Sequence, residues 1–389
     1  MSAWMVAVGG LVLWGLLLVA GLLRHRRVLL NLWREPVLRV PVLAFESDDW
    51  SPQPQSQAGA LRALSEVLAR HRDVDGNPGL MTLGLVSTSP QLEPTGAVQW
   101  IDWSDPQVAS TRSAVLEGVE AGIFALQLHG AAHCWEPAFE AWAAGQASAE
   151  GLSPLNEVLP DALQSRWWDP YADPPAPVGP RSAEAAAHAE ALGFQSHWGA
   201  VPAVAVPPTF LWSHAVEQGW RRGGVRWVVT PGARFAGRDR SGRMQPAESG
   251  LCNGVRSVTG LRYLVRDSYY EPWKGHAPEV ALAALARQTR LGRPTFLEIH
   301  RCNFIPDQGC ADDALTGTEA VLRLALEQRP SLRFMSPQEL GERLEHRRSD
   351  DLFERGLVRV RMWLRRCGVA PALSRWLKAT GLWPLVKLA

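Results

Sequence analysis

Asp48 and Asp49 stand side by side closely after the apolar run Val37 to Phe45, VLRVPVLAF. Adjacent carboxylates delivered by a buried strand repel each other and need a cation, hydrogen bonds or a proton between them. His129 and His133 follow a second apolar run, Ile123 to Leu128. Their i, i+4 spacing places both imidazoles on one face if the chain continues as a helical turn, a geometry suited to a shared metal ion. A zinc protease of the HExxH kind would need Glu directly after the first His, and Gly130 stands there, which argues strongly against that class. His300 ends a third run, Pro294 to Ile299, and Arg301, Cys302 and Asn303 follow it. Each feature alone has a bland reading: a surface Asp-Asp turn, a packed histidine pair, a structural histidine. Three separate strands ending in such residues make coincidence the weaker account. Two His and one Asp can hold Zn²⁺ or a similar divalent ion with a position open for water. The other Asp can then take a proton, and a separate His can give one to a leaving amine. Two His and one carboxylate also suit non-haem Fe(II) oxygenases, whose double-stranded β fold the pattern of this chain does not match.

The elements that must position these residues alternate. Strand-like runs at Val37 to Phe45, Leu80 to Val86, Ile123 to Leu128, Val201 to Val206, Val225 to Val229, Leu261 to Val265, Thr295 to Ile299 and Leu332 to Met335 are separated by helical patterns. Those helices are expected at Ala60 to His71, Ser110 to Gly122, Ala138 to Ala149, Ser182 to Leu192, His214 to Arg222, Ala277 to Leu291, Ala314 to Gln328 and Pro337 to Arg347. Repeated βα units imply an α/β fold with a mainly parallel sheet, and this number of units favours a barrel. In such a sheet the functional face lies at the C-terminal strand ends.

The two ends of the chain differ from this middle. Met1 to Leu23 has no charged side chain, and Arg24, Arg26, Arg27 and Arg34 follow. A helix of about 20 residues rises about 30 Å, enough to cross a bilayer. The positive flank then puts the N-terminus outside and the main domain in the cytoplasm, a single-pass membrane arrangement. A cleaved signal would need a charged n-region and a small-residue cleavage site, and neither is visible. From Asp350 to Ala389, Arg355, Arg359, Arg361, Arg365, Arg366, Arg375, Lys378 and Lys387 mix with Leu357, Val360, Trp363, Leu364, Trp376, Leu377, Trp383 and Leu385. That composition fits basic amphipathic helices on an anionic membrane surface, or equally a helical cap on the barrel. The division expected is a transmembrane anchor with basic flank at 1–27, a barrel at 37–347 and a helical tail at 350–389. A net charge of +1 gives no polycationic footprint for nucleic acid. Five cysteines with no CxxC pair argue against a disulfide framework. Eighteen tryptophans suit membrane interfaces and sugar-stacking surfaces, beside the core packing that takes most of them.

Taken together, the blocks resemble the polysaccharide deacetylase superfamily (NodB homology, carbohydrate esterase 4-like), and more closely its divergent WbmS-type branch. ESDDW at Glu46–Trp50 and LQLHGAAH at Leu126–His133 are similar to the first two motifs. VPPTFLW at Val206–Trp212, YLVRDSYYEP at Tyr263–Pro272, IHRCNF at Ile299–Phe304 and RFMSPQEL at Arg333–Leu340 are similar to later blocks. The resemblance spans Val37 to Arg347. It implies an incomplete (β/α)7-type barrel holding a divalent metal, often Zn²⁺. It implies Asp48 as general base, Asp49, His129 and His133 as metal ligands, and His300 as general acid. The implied substrate is an acetylated sugar of a glycan or glycolipid. The chain departs from the family in two places. Gly130 replaces the usual serine of the second motif, and Val206 stands where an arginine normally positions the catalytic Asp. Arg266 and Arg301 are the candidates to replace that arginine, and Asp267 is the candidate for the family's supporting acid. Trp50 and Trp212 are candidates to meet substrate or brace the site. Two other readings compete: a vestigial sugar-binding member of a polysaccharide assembly system, and a glycosidase using two of Glu217, Glu271 and Glu298, which the sequence cannot pair.

Overall fold

The structure, a computed structural model, describes residues 3–53, 57–93, 97–145, 163–239, 241–305, 310–346, 351–353 and 356–387. One nine-stranded sheet organises it. Numbered within that sheet, the strands are β1 (Val42–Trp50), β2 (Met81–Leu85), β3 (Phe124–Leu128), β4 (Val204–Ala205), β5 (Trp227–Thr230), β6 (Arg262–Val265), β7 (Ser268–Tyr269), β8 (Thr295–His300) and β9 (Arg333–Phe334). Their order is β6-β5-β4-β3-β2-β1-β8-β7, with β9 paired to the start of β1. Every pairing is parallel.

The connection between β6 and β7 shows how the sheet is curved. These strands occupy opposite edges, yet only Arg266 and Asp267 separate them in sequence. Three Cα steps of 3.8 Å cannot bridge more than about 11 Å. A flat eight-strand path would be about 34 Å wide at 4.8 Å per strand. The sheet therefore curls until its edges nearly meet, leaving an unpaired seam: an incomplete barrel. Arg266 sits in that seam.

Alternation along β1 puts Val42, Ala44, Glu46 and Asp48 on one face. The lower part of that interior is apolar, with Val42, Ala44, Val204, Trp227, Val229, Leu264 and Phe296 in one buried cluster. The helix Pro337–His346 closes this end: its Leu340 and Leu344 join the cluster, and a Cβ on Gly341 would collide with Trp227. Higher up, the interior turns polar. The outer face of the sheet packs on helices such as Ala58–Ala69, whose Leu61, Leu64 and Leu68 form one buried stripe.

Several expectations shift. β1 runs through the Asp48–Asp49 pair rather than stopping before it. The segment after β3 is an irregular loop, so His129 and His133 do not share a helical turn; Gly130 at φ 88° breaks the helical path. Ser182 to Leu192 extends to a helix over Pro180–Trp198. Among the described residues three antiparallel pairs lie outside the main sheet: Thr88–Leu92 with Val98–Asp102, Trp168–Asp169 with Ala176–Pro177, and Ala233–Arg238 with Met244–Ser249. The helix expected to reach Ala149 is described to Gly145, and the 347–350 boundary and Arg355 lie outside the described residues.

At the N-terminus, helix α1 (Ala3–Arg34) is one helix of 32 residues, apolar and long enough to cross a membrane by length and composition. Trp4, Leu11, Val12, Leu13, Leu16 and Leu17 are all exposed on it. The tail forms helices over Leu357–Val369, Pro371–Ala379 and Trp383–Lys387. They pack with the C-terminal part of α1 and with Cys252 around Leu32, Cys367, Leu373 and Leu377. Arg366 locks this assembly to the barrel by donating to the carbonyls of Glu35, Pro36, Leu291 and Gly292.

Candidate active site

Two of the candidate site residues come from an irregularity in β1. Ser47 pairs with Leu83 and Trp50 with Leu85, so Asp48 and Asp49 form a bulge against β2. Bulges re-aim side chains at strand ends. Asp49 adopts φ 72°, a left-handed conformation uncommon for a residue with a Cβ. Gly84 on β2 makes room, because a Cβ there would lie 2.4 Å from Asp48 Oδ1.

His129 leaves β3 with its backbone N–H donating to Leu85 O at 2.9 Å. The loop beyond it is held to its neighbours: Ser87 N donates to Gly130 O at 3.1 Å, and Ala131 N to the buried Glu190 Oε2 at 3.0 Å. This brings His133 back over the strand end. His129 Nε2 lies 3.0 Å from Asp49 Oδ1, and His133 Nε2 lies 3.5 Å from the same oxygen. The three ligand atoms lie within 4.8 Å of one another, and this is the sole such group among the described residues. Donors about 2.0–2.1 Å from one tetrahedral Zn²⁺ are about 3.4 Å apart, so the spacing fits a shared ion. The tautomer supports it. His129 Nδ1 sits 2.9 Å from Val206 O and donates to it. In the neutral ring Nε2 is then an acceptor facing a carboxylate oxygen, and a cation or a second proton must lie between them.

Burial disfavours the ionised form at each of these groups, and the charges around them decide the outcome. At Asp49, His133 and His129 outweigh burial and hold the carboxyl well below the usual range. Burial likewise opposes charge on His129, but Asp48 and Asp49 raise its pKa; at His133 burial prevails and the pKa is lowered. A histidine poised neutral beside an ionised carboxylate suits metal ligation.

Asp48 is gripped from the seam. Arg266 Nη2 donates to Asp48 Oδ2 at 2.6 Å, Nη1 to Glu46 Oε2 at 3.2 Å, and Nε lies 2.9 Å from Glu298 Oε2. All four side chains are buried. Burial works against the Asp48 carboxylate, yet Arg266 and His129 outweigh it and keep its pKa low. Asp48 Oδ1 has no hydrogen-bond partner, so one carboxylate oxygen is fixed and the other is an unsatisfied acceptor. Below it Glu46 also accepts from Gln127 at 2.8 Å; burial, with Asp48 nearby, pushes its carboxyl up to about 7. Burial raises Glu298 as well.

His300 is the Cα partner of Asp48 across the β1–β8 ladder. Its Nδ1 donates to Glu271 Oε1 at 2.5 Å. Glu271 is buried and is itself held by Asn303 Nδ2 at 2.6 Å and Trp273 Nε1 at 3.1 Å. Burial opposes the imidazolium, but Glu271, Asp49 and Glu298 raise the His300 pKa to about 10. The His300 side chain stays 30% exposed, and its Nε2 lies 3.4 Å from Glu298 Oε1.

The remaining sequence candidates lie elsewhere. Trp50 and Trp212 are 0% exposed, donating to Ser47 and Glu217, and offer no face to a sugar. Asp267 leaves the seam in the opposite sense from Arg266 and bonds Gln288, Ser268 and Arg287. Arg301 is buried against Ser51 and Gln57. Of the two arginine candidates, Arg266 is the one that meets Asp48. Glu46, Glu271 and Glu298 complete the arrangement, and sequence reading did not place them there. Their signal was an acidic residue inside an apolar strand, in VLAFE and TFLEI, and the dipeptide Glu271–Pro272 after a strand.

No protein-family model matches the chain, and no curated protein matches it by sequence. Among solved structures it is similar to a family 4 carbohydrate esterase from Streptomyces lividans, in complex with acetate, at 12% identity and a TM-score of 0.37, covering 79% of this chain and 96% of that one. The peptidoglycan deacetylase PdaC from Bacillus subtilis gives 10% identity and a TM-score of 0.38, covering 80% and 94%. A family 4 acetyl xylan esterase from Clostridium thermocellum, in complex with a cobalt ion, gives 13% identity and a TM-score of 0.35, covering 77% and 89%. At such identities and scores, the chemistry must be read from the residues of the chain itself.

Proposed function

We propose that the barrel is a metal-dependent carbohydrate deacetylase, with Asp49, His129 and His133 as metal ligands, Asp48 as general base and His300 as general acid. One observation carries the reading. The ligand-type cluster is flanked by a carboxylate that Arg266 bonds, its pKa lowered, and by a histidine that Glu271 bonds, its pKa raised. Opposed protonation states on two groups beside one site are what acid–base hydrolysis requires. A divalent ion, Zn²⁺ being the best match to two His and one Asp, would supply Lewis-acid polarisation and a lowered water pKa. Asp48 Oδ1 would accept the proton of the attacking water while Arg266 keeps Oδ2 in place. His300 would pass its Nε2 proton to the departing amine or alcohol, and Glu271 would stabilise and orient the imidazolium. The carboxylate–arginine contact weighs against a vestigial sugar binder, since Arg266 supplies to Asp48 the partner that is missing at Val206.

The exposed apolar helix α1 and its flanking arginines extend the reading to a membrane anchor, N-terminus outside and barrel cytoplasmic. The substrate would then be an acetylated glycan precursor or glycolipid at that face. The test is metal analysis of purified protein together with acetate release from acetylated nucleotide sugars and glycolipids. Near-stoichiometric metal and acetate release that Asp48→Asn abolishes would support the proposal. Protein that takes up no metal on reconstitution, or full activity in Asp48→Asn, would overturn it.

A further inference from the structure

The composition of the basic tail fits a membrane surface or a cap on the barrel; its position along α1 points to something more specific. We propose that helices Pro371–Ala379 and Trp383–Lys387 form a wedge that enters the leaflet of an anionic phospholipid bilayer beside α1. The proposal builds on the membrane reading of α1 and is independent of the metal site.

Depth can be read along α1. Arg24, Arg26 and Arg27 mark the headgroup level. Trp376 packs against Gly21, where a Cβ would fall inside its indole, and its ring lies 6.1 Å from that of His25. Four residues on in the tail, Thr380 O accepts from Trp14 Nε1 at 2.8 Å. Trp14 lies ten residues before Arg24, about 15 Å along the helix. The turn between the two tail helices thus descends about one leaflet below the arginines, half of a hydrocarbon core of about 30 Å. The chain then returns, since Val386 packs against Gly368.

Three polar groups around the turn are satisfied within the protein, whereas the buried Trp376 Nε1 has no partner among the described residues. Thr380 Oγ1 donates to Trp376 O at 2.9 Å, Thr380 O is taken by Trp14, and Leu385 N donates to Leu382 O at 3.1 Å. In hydrocarbon such groups must be satisfied within the protein. Leu385, on the short helix that follows the turn, is 52% exposed, an apolar side chain facing outward. Lys378, the charge nearest the tip, lies 4.8 Å from the Trp383 ring and has a long stem that can carry its ammonium upward.

Charge selects the lipid. Residues 357–387 contain Arg359, Arg361, Arg365, Arg366, Arg375, Lys378 and Lys387 and no Asp or Glu, and residues 1–34 likewise lack acidic groups. Arg366 is used internally, but Arg375, Lys378 and Lys387 are exposed. A one-signed rim around an apolar wedge is complementary to anionic headgroups, each cation adding attraction that salt screens.

The test uses the full chain reconstituted into phosphatidylcholine vesicles with and without phosphatidylglycerol, Cys302 and Cys310 having been replaced by Ser. An environment-sensitive fluorophore is placed at Leu385→Cys or, as a control for α1, at Leu11→Cys. The expected result is blue-shifted emission at both positions and several-fold quenching of the Leu385 probe by lipids brominated high on the acyl chain. Anionic lipid should strengthen that quenching, and Arg375→Gln with Lys378→Gln and Lys387→Gln should remove the gain. An aqueous Leu385 probe above an inserted Leu11 probe overturns the wedge while leaving the anchor intact, as does protection of Leu385 in native membranes alone, which would indicate a protein partner. Aqueous emission at both positions overturns the membrane reading and the wedge with it. Metal content of the same samples reports separately on the barrel.

Discussion

Arg266 and Asp48 meet across the open seam of the barrel at 2.6 Å, although 218 residues separate them in sequence. The guanidinium also faces Glu46 and Glu298, so one cation answers three buried carboxylates. Removing one partner of a buried ion pair typically costs about 3–5 kcal/mol, because a charge is left without its counterpart. Arg266→Met is therefore expected to lower stability by about that amount, seen as a reduced urea midpoint. Arg266→Lys keeps the charge but not the planar fork that serves several carboxylates. It should retain metal, fold with a smaller loss and lose activity by about a hundredfold. Its acid limb should also move to higher pH. Asp48 has its pKa lowered chiefly by Arg266 against burial, so its stabilisation exists above the unfolded carboxylate pKa and disappears as pH falls through the folded value. A lysine variant with an unchanged pH profile would show that Arg266 is only structural.

Glu46 titrates in the opposite sense. Burial raises its carboxyl to about 7. A raised folded pKa gives a contribution fully present below the unfolded value of 4.5 and lost as pH rises through about 7. Glu46→Gln has no charge to bury, and its amide oxygen can still accept from Arg266 or Gln127. Wild type should lose about 1–3 kcal/mol of stability relative to this variant between pH 4.5 and 8. Parallel unfolding curves for the two proteins across that range would refute the assignment.

His300 supplies a third pH signature. Glu271, aided by Asp49 and Glu298, lifts it to about 10 against the effect of burial. Its contribution to folding is complete below the unfolded value of 6.5 and is lost as pH rises through about 10. Glu271→Gln removes the main partner and should bring the alkaline limb of the rate profile to lower pH, with kcat falling more than KM changes. NMR titration of the His300 ring in metal-free protein checks the same shift without turnover. An unmoved titration would assign Glu271 to loop support alone.

The fold was readable because βα alternation needs little beyond hydrophobic period: the strands expected near Leu80, Ile123, Val225, Leu261 and Thr295 all lie in the sheet. The curl was not readable, since it depends on β6 and β7 taking opposite edges with only Arg266 and Asp267 between them. Adjacent residues in such a short connection face opposite ways, which is why Arg266 reaches the interior and Asp267 does not. The supporting acid was misplaced for the same reason: Glu271 arrives on His300 through the turn after β7, a geometry no sequence spacing encodes. The tryptophans misled because residue type alone does not separate a buried indole with a partner, such as Trp212 on Glu217, from a sugar platform.

Gly130 explains a departure from the resembled motif, where serine is usual. Its φ of 88° is the left-handed region, where a Cβ costs about 1–2 kcal/mol. A Cβ there would also sit 3.1 Å from Ala132 O, in the loop that returns His133 to Asp49. Gly130→Ser should therefore not restore a better site. It should lower stability by about 1–2 kcal/mol and weaken metal affinity by about 10–100-fold, the range for disturbing the groups that hold a ligand in place. Competition with a fluorescent zinc chelator measures the affinity directly. Gly130→Ala separates the two causes, since it adds the Cβ without the hydroxyl. Equal losses in both variants locate the effect in the backbone, whereas tighter binding in the serine variant would mean that the loop can adopt the helical turn its spacing first implied.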